Sequence, residues 1–190
     1  TIPFSDNGYI HLDSDRVENW RSRLAKGRDL IAVCWRTNLI SDKDSQSIDL
    51  EKRVKSFGLD DTEKLCRQLK CMFPKAKLVS LQPGASAAEK EMLSRHDIED
   101  IWAKYPIADF SDTAAIIENV DLVVSIDTGV AHLAGALGKP VWTLLPHYSD
   151  WRWSQDDEFS SWYPDMRLFR QSKENDWESL DSENRIPHVV

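Results

Sequence analysis

The segment Asp127-Thr128-Gly129 has residue types that suit anion binding. It joins an apolar run to a stretch of small residues, so a helix is expected to begin at Gly129. Free N–H groups and the positive end of the dipole make a helix start suitable for a diphosphate. Gly129 allows close approach, Thr128 adds a hydroxyl donor, and His132 lies on the same helix face as Thr128. A carboxylate would compete with phosphate for these donors, so Asp127 is assigned to a neutral hydroxyl. Alternatively, Asp127 or Thr128 only caps the helix and His132 only packs.

Further candidates follow two other apolar runs. The stretch 36–47 lacks helical or strand periodicity, and such loops inside compact domains are often functional. It supplies Arg36, Thr37, Asn38 and Lys43. Lys43 stands between two aspartates, so a solvated charge cluster is an equally good explanation. Glu89 follows the turn at 82–84, at the edge where a ribose would lie, although a lone glutamate on a helix is more often a surface charge.

A block of aromatic residues follows the apolar run at 140–145. Arg152 stands between Trp151 and Trp153, and an extended chain would send its guanidinium and the two rings to opposite sides. Arg152 is the ligand candidate of this block. Most of the rings are instead expected to form a small satellite core under a long loop: Trp142, Trp151, Trp153, Trp162 and Tyr163.

Strands alternate with helices along the chain, which predicts an α/β fold with a Rossmann-like, doubly wound parallel sheet. The expected strands cover 30–35, 76–81, 121–126, 140–145 and 166–169, with a weakly signalled strand between 97 and 109. The expected helices cover 17–24 (capped by Asp13 or Ser14), 50–71 with a break near Gly58, 87–95, 112–119 and 129–137, and a closing helix begins at Asp176.

The order of these elements locates a crevice. Ligands of open parallel sheets bind beyond the carboxyl ends of the strands, where the winding direction reverses. That reversal is expected between strands 30–35 and 121–126, which brings the loops at 36–47 and 127–129 together. Residues 1–28 are expected to form an N-terminal extension, and residues 29–190 a single domain.

Composition excludes several classes of protein. With 24 Lys and Arg against 32 Asp and Glu, the net charge of −8 disfavours nucleic-acid binding. No apolar run approaches the roughly 20 residues needed to cross a bilayer. The three cysteines indicate neither a disulfide framework nor a thiolate zinc site, so a cytoplasmic location is expected.

The stretch from 109 to 171 resembles the C-terminal domain of heptosyltransferase-like glycosyltransferases, glycosyltransferase family nine. The resemblance rests on DTGVAHLAGALGKP from Asp127, DWRW from Asp150 and WYPDMRLFRQ from Trp162. More closely, it is similar to the version attached to bacterial tetratricopeptide-repeat proteins, and residues 9–24 resemble the segment that leads into that domain.

The resemblance implies one lobe of a two-lobed GT-B fold, a metal-independent glycosyltransferase without a cofactor that uses a nucleotide-diphosphate sugar. The acceptor would be a glycan, a lipid or a protein. Residues 29–190 would bind the donor. Thr128, Gly129 and His132 would contact the diphosphate, Asp127 a sugar hydroxyl, Lys43 a phosphate and Glu89 the nucleoside. The general base is expected outside this chain, with His132 the one catalytic candidate within it.

Two departures from the family pattern keep alternatives open. Gln46 stands where a basic residue is expected, which weakens phosphate neutralisation by that loop. An N-terminal lobe, which holds the acceptor and usually the base, does not fit in 190 residues. The chain is therefore either part of a longer enzyme or a degenerate, non-catalytic module that binds a nucleotide, a glycan or a protein. An epimerase on the same plan would need an acid pair that the sequence does not offer.

Overall fold

A six-stranded parallel sheet forms the centre of the molecule. A computed structural model of the chain describes residues 8–24, 27–37, 56–154, 157–174 and 176–177. The strand order is β3-β2-β1-β4-β5-β6, so the predicted α/β fold with a doubly wound sheet is confirmed. The strands are β1 (Leu30–Cys34), β2 (Lys77–Ser80), β3 (Glu99–Asp100), β4 (Leu122–Ile126), β5 (Val141–Leu145) and β6 (Met166–Arg170).

Six helices are described around this sheet, and the starts of several of them follow from local capping chemistry. Asp13 and Asp109 accept hydrogen bonds from first-turn N–H groups, and Ser86 forms a capping box with Glu89. The helices are α1 (Ser14–Arg23), α2 (Leu59–Met72), α3 (Ala87–Arg95), α4 (Ile101–Lys104), α5 (Phe110–Glu118) and α6 (Gly129–Ala136).

The sheet is covered on both faces by two separate apolar cores. One core holds Trp20 of α1 with buried residues of α5 and α6, and the other holds Leu65 of α2 and Met92 of α3. All five residues of β1 are buried, and they alternate between the cores, with Ala32 in the first and Val33 in the second. This two-sided burial explains the continuous apolar runs of the central strands.

The N-terminal helix packs onto the first of these cores. Trp20 is only 2% exposed, and its indole Nε1 donates to Asp112 Oδ1 at 3.1 Å. Before α1, the N–H of Tyr9 donates to the carbonyl of Ala136 at 2.8 Å. Gly8, with φ of +76°, lies so close to Leu137 that a Cβ would meet its carbonyl carbon at 2.5 Å. Residues 8–10 therefore lie against the end of α6.

The structure differs from the sequence expectations in a few places. The weakly signalled strand between 97 and 109 has two residues, Glu99 and Asp100, because α4 begins at Ile101. The expected break near Gly58 is the start of α2, for which Gly58 is the N-cap. Residues 50–55 and most of the closing helix expected from Asp176 lie outside the described residues. None of the described helices is long and apolar enough to cross a membrane.

Candidate functional site

The winding of the sheet reverses between β1 and β4, as the sequence predicts. These strands are parallel neighbours in which Cys34 pairs with Ser125. β2 continues the sheet on one side of them and β5 on the other. The segments 35–37 and 127–129 therefore leave the sheet side by side at its carboxyl edge, where open α/β sheets bind their ligands.

The first turn of α6 is open at this edge. Thr128 is the N-cap, but its side chain makes no capping hydrogen bond; its hydroxyl instead lies 2.9 Å from that of Ser125. Among the described residues, nothing accepts from the N–H groups of Gly129, Val130 or Ala131. Thr128 therefore occupies the N-cap position, as the alternative expects, but its side chain leaves the first-turn amides without an acceptor. Three donors remain at the positive end of the helix dipole.

Gly129 leaves the approach to these amides clear. The residue is exposed, and the nearest atom to a Cβ built there is Cζ of Phe110, at 3.4 Å. Phe110 is itself 62% exposed at the start of α5. One flank of the helix start is thus the exposed ring of Phe110, and Gly129 places no side chain of its own beside its amide.

His132 is held beside the helix start by three neighbours. Its Nε2 lies 3.6 Å from Oδ1 of Asp127, and its Nδ1 lies 3.1 Å from the hydroxyl of Tyr163. The indole of Trp153 stacks on the ring with a centroid separation of 5.0 Å. Burial and a hydrogen bond with Tyr9 raise the pKa of Tyr163 to about 12, so this phenol keeps its proton. The imidazole is therefore fixed in orientation, with Nε2 on the side of Asp127.

The aromatic block after β5 is not extended, so the expected alternation of rings and guanidinium is wrong. Residues 150–153 form a turn in which the N–H of Trp153 donates to the carbonyl of Asp150 at 3.0 Å. The Asp150 carboxylate accepts from the Arg152 guanidinium at 2.7 Å, and that guanidinium lies over the ring of Trp151. Arg152 remains about half exposed, with 45% of its side chain accessible.

A single satellite core of the aromatic residues is not formed either. Trp153 is 1% exposed within the core under α1, α5 and α6, whereas Trp142 packs against Phe169 beside the opposite core. Trp151 is 73% exposed and meets Trp162 edge to face at 6.0 Å. Trp142 lies within β5, whereas Trp153 lies in the turn at 150–153. The two rings therefore pack on opposite faces of the sheet.

Glu89 is buried rather than a surface charge. Its Oε1 accepts from Nε1 of Trp35 at 2.7 Å and from Nε of Arg36 at 2.9 Å. Its Oε2 accepts from the N–H of Ser86 at 2.6 Å. The costs of burial are outweighed by these donors, so the pKa of Glu89 falls to about 2. A carboxylate that is ionised throughout the neutral range thus joins the end of β1 to the start of α3.

Gln82 reinforces the same corner. It is fully buried, and its Oε1 accepts from the N–H groups of Trp35 at 3.2 Å and of Arg36 at 2.9 Å. Thr37 lies just beyond, where its N–H donates to the Ser56 hydroxyl at 3.2 Å. Lys43, the remaining candidate of this loop, lies outside the described residues.

Cys34 is a buried core thiol. Burial raises its pKa to about 11, so the thiol stays protonated at neutral pH. The described cysteines are all free. Within the described ranges, no group of three or more His, Cys, Asp and Glu side chains is placed to hold a metal ion.

The part of the chain that contains β4 and α6 is similar to a known protein family. Residues 105–184 match Glycosyltransferase family 9 (heptosyltransferase). The family resemblance predicted from the sequence is thereby confirmed, and the matched residues include β4, α6, β5 and β6.

Solved structures show the same fold. The chain is similar to the ADP-heptose LPS heptosyltransferase II of E. coli (TM-score 0.58, 15% identity), covering 93% of this chain and 52% of that one. It is also similar to a family 9 glycosyl transferase from Veillonella parvula DSM 2008 (TM-score 0.59, 14% identity), covering 96% of this chain and 47% of that one. The chain therefore spans about half the length of each transferase.

A curated relative is longer still. Protein FlbA of Caulobacter vibrioides is 26% identical over 177 residues, which cover 90% of this chain and 27% of that protein. The chain thus spans about a quarter of the length of FlbA.

The structure brings together Asp127, Thr128, Gly129 and His132, and it places Glu89 and Thr37 near the end of β1. Sequence reasoning named Arg36 and Tyr163 but did not pair them with Glu89 and His132. Tyr163 lies 31 residues from His132, and Arg36 lies 53 residues from Glu89. Gly135 lies beneath the Tyr163 ring, so close that a Cβ would meet Cγ at 2.4 Å, but the sequence does not show which ring covers this glycine.

Proposed function

We propose that this chain is the donor-binding half of an inverting, metal-independent glycosyltransferase that uses a nucleotide-diphosphate sugar. The observation that carries the proposal is the open first turn of α6 at the reversal point of the sheet, with three N–H donors unclaimed by described residues. The match of residues 105–184 to a glycosyltransferase family supports it.

The chemistry of the site follows from charge. When the acceptor oxygen attacks the anomeric carbon of the sugar, the bond from that carbon to the diphosphate oxygen breaks, and negative charge grows on the departing nucleoside diphosphate. The amides of α6 and its dipole stabilise that charge without having to reorganise. Thr128 adds a hydroxyl, and His132 stands one turn along the helix. Asp127 accepts from a hydroxyl of the transferred sugar, which keeps its carboxylate away from the phosphates.

The remaining candidates are assigned by position. Lys43 and Thr37 would contact a phosphate from the loop after β1, and Arg152 would contact the donor from the turn after β5. Glu89 would lie near the nucleoside. A base from another lobe would activate the hydroxyl of a glycan, lipid or protein acceptor.

The proposal includes the setting of the chain. We place it in a longer bacterial protein that acts in the cytoplasm, with an N-terminal catalytic lobe or a tetratricopeptide-repeat region beside it. The length comparison supports this, because the chain spans only part of each relative.

Turnover tests the roles of two residues. In a two-lobed protein that contains this chain, Asp127→Ala and His132→Ala are each expected to lower nucleotide-sugar turnover by about tenfold to a hundredfold, since each removes a polar contact made at the reacting donor. His11→Ala, which changes an exposed histidine before α1, is the control. Unchanged turnover in both site variants would contradict the proposal.

A non-catalytic module of the same fold is the second candidate. The observation that favours it is Glu89, whose two oxygens already accept from Trp35, Arg36 and Ser86. This module would bind a nucleotide, a glycan or a protein and show no transfer when the missing lobe is supplied. Transfer by the two-lobed protein would exclude it.

A further inference from the structure

Arg36 occupies a defined place at the carboxyl edge. It follows β1 directly after Trp35, on the side of β2 rather than β4. Its guanidinium reaches the turn after β2, where Nη2 donates to the carbonyl of Gly84, and the start of α3, where Nε donates to Glu89. The guanidinium thus lies towards β2, and β1 separates β2 from β4, the strand that leads into α6.

The guanidinium is fixed before any ligand arrives. Nε lies 2.9 Å from Glu89 Oε1, and Nη2 lies 3.3 Å from Glu89 Oε2. The side chain is 20% exposed, and its own N–H is anchored by Gln82. A planar fork held in this way loses little entropy when it makes one more hydrogen bond.

Nη1 is the part of Arg36 that remains available. Among the described residues, neither N–H of this nitrogen has an acceptor, whereas Nε and Nη2 are both engaged. The charge of the guanidinium is balanced by Glu89 beside it. Such a group suits an uncharged acceptor better than a phosphate, for which the α6 amides are the stronger site.

We propose that Arg36 recognises the nucleoside of the donor, through hydrogen bonds from Nη1 to a ribose oxygen or to an acceptor on the base. This inference rests on the proposed function, since it takes the diphosphate to lie at α6. Two strand spacings separate β2 from β4, roughly 10 Å, a distance that a nucleoside diphosphate can span along the edge. Glu89 then acts as the residue that positions Arg36.

Titration calorimetry on the chain tests the proposal with inorganic pyrophosphate, ADP, GDP and UDP. Arg36→Lys keeps a cation for Glu89 but removes the fork. We expect this variant to bind pyrophosphate within twofold of the wild type and to bind nucleoside diphosphates about tenfold more weakly. Arg36→Gln, which also removes the charge, is expected to show the same selective loss. Arg95→Lys, at an exposed arginine paired with Glu63, is the control.

The pattern across the probes decides the outcome. An equal loss for ADP, GDP and UDP supports a ribose contact, and a loss confined to some bases supports a base contact. If variants that remain folded lose no more affinity for nucleoside diphosphates than for pyrophosphate, the proposal is overturned. Failure of the wild type to bind any of the four probes would instead overturn the proposed function, and this inference with it.

Discussion

Glu89→Ala is expected to lower the free energy of unfolding by about 3–5 kcal/mol, the range for removing one partner of a buried ion pair. The substitution leaves the Arg36 guanidinium without its carboxylate and the buried Trp35 indole N–H without an acceptor. It also removes the capping box with Ser86 that begins α3. Denaturant unfolding of the variant and of Lys90→Ala, the exposed neighbour on α3, measures the difference.

The pH dependence of stability provides a check on the same residue. Hydrogen bonds from Arg36, Ser86 and Trp35 outweigh the cost of burial and lower the Glu89 pKa from 4.5 to about 2. A carboxyl whose pKa is lowered by folding stabilises the protein at pH values above its ordinary pKa. This contribution, about 3 kcal/mol, is lost as the pH falls towards 2. Between pH 5 and 2 the wild type should therefore lose more stability than Glu89→Gln. Parallel stability curves for the two proteins would contradict this assignment.

Gly135→Ala is expected to destabilise the protein by about 2 kcal/mol. A Cβ at this position would lie 2.4 Å from Cγ of Tyr163 and 2.8 Å from both Cδ atoms, closer than real Cβ contacts. The gain in helix propensity from alanine, about 1 kcal/mol, is too small to offset the displacement of the ring. Because Tyr163 contacts His132, the site is expected to be disturbed as well.

A double-mutant cycle separates this clash from a general helix effect. In a Tyr163→Ala background, which removes the ring, Gly135→Ala should cost little or be stabilising. Gly58→Ala is the matched glycine control, since its Cβ would lie 3.7 Å from the nearest atom. An equal cost of Gly135→Ala in both backgrounds would show that the Tyr163 ring is not its cause.

Local sequence patterns predicted most of the fold. Strands β1 and β4 are buried on both faces, so each is a continuous apolar run. Such a run can be predicted as a strand from its own residues alone. Helix α3 spans Ala87–Arg95 as expected, because Ser86 and Glu89 cap it through side chains three residues apart. The start of α6 and the reversal beside it follow from the same kind of local signal, together with the rule for crossover connections.

Contacts between distant segments could not be predicted in this way. The burial of Glu89 depends on Arg36, which comes from another strand end, and the orientation of His132 depends on Tyr163. Periodicity describes one element at a time and carries no information on such pairs. The turn at 150–153 was missed for a different reason: Asp150 bonds to the backbone and side chain of Arg152 and folds the chain locally.

The central claim is that the amides at the start of α6 bind a pyrophosphate group. Gly129→Asp adds a carboxylate at this helix start, where a negative charge stabilises the helix but repels a phosphate. Ala88→Asp adds the same charge to the exposed first turn of α3 and serves as the control.

Calorimetric titration of inorganic pyrophosphate into the wild type and these two variants is the most direct measurement. We predict that Gly129→Asp binds at least about tenfold more weakly than the wild type, a difference of roughly 1.4 kcal/mol, while its melting temperature is unchanged or raised. Ala88→Asp should bind as the wild type does. Equal pyrophosphate affinity in the wild type and in a folded Gly129→Asp protein would contradict the account.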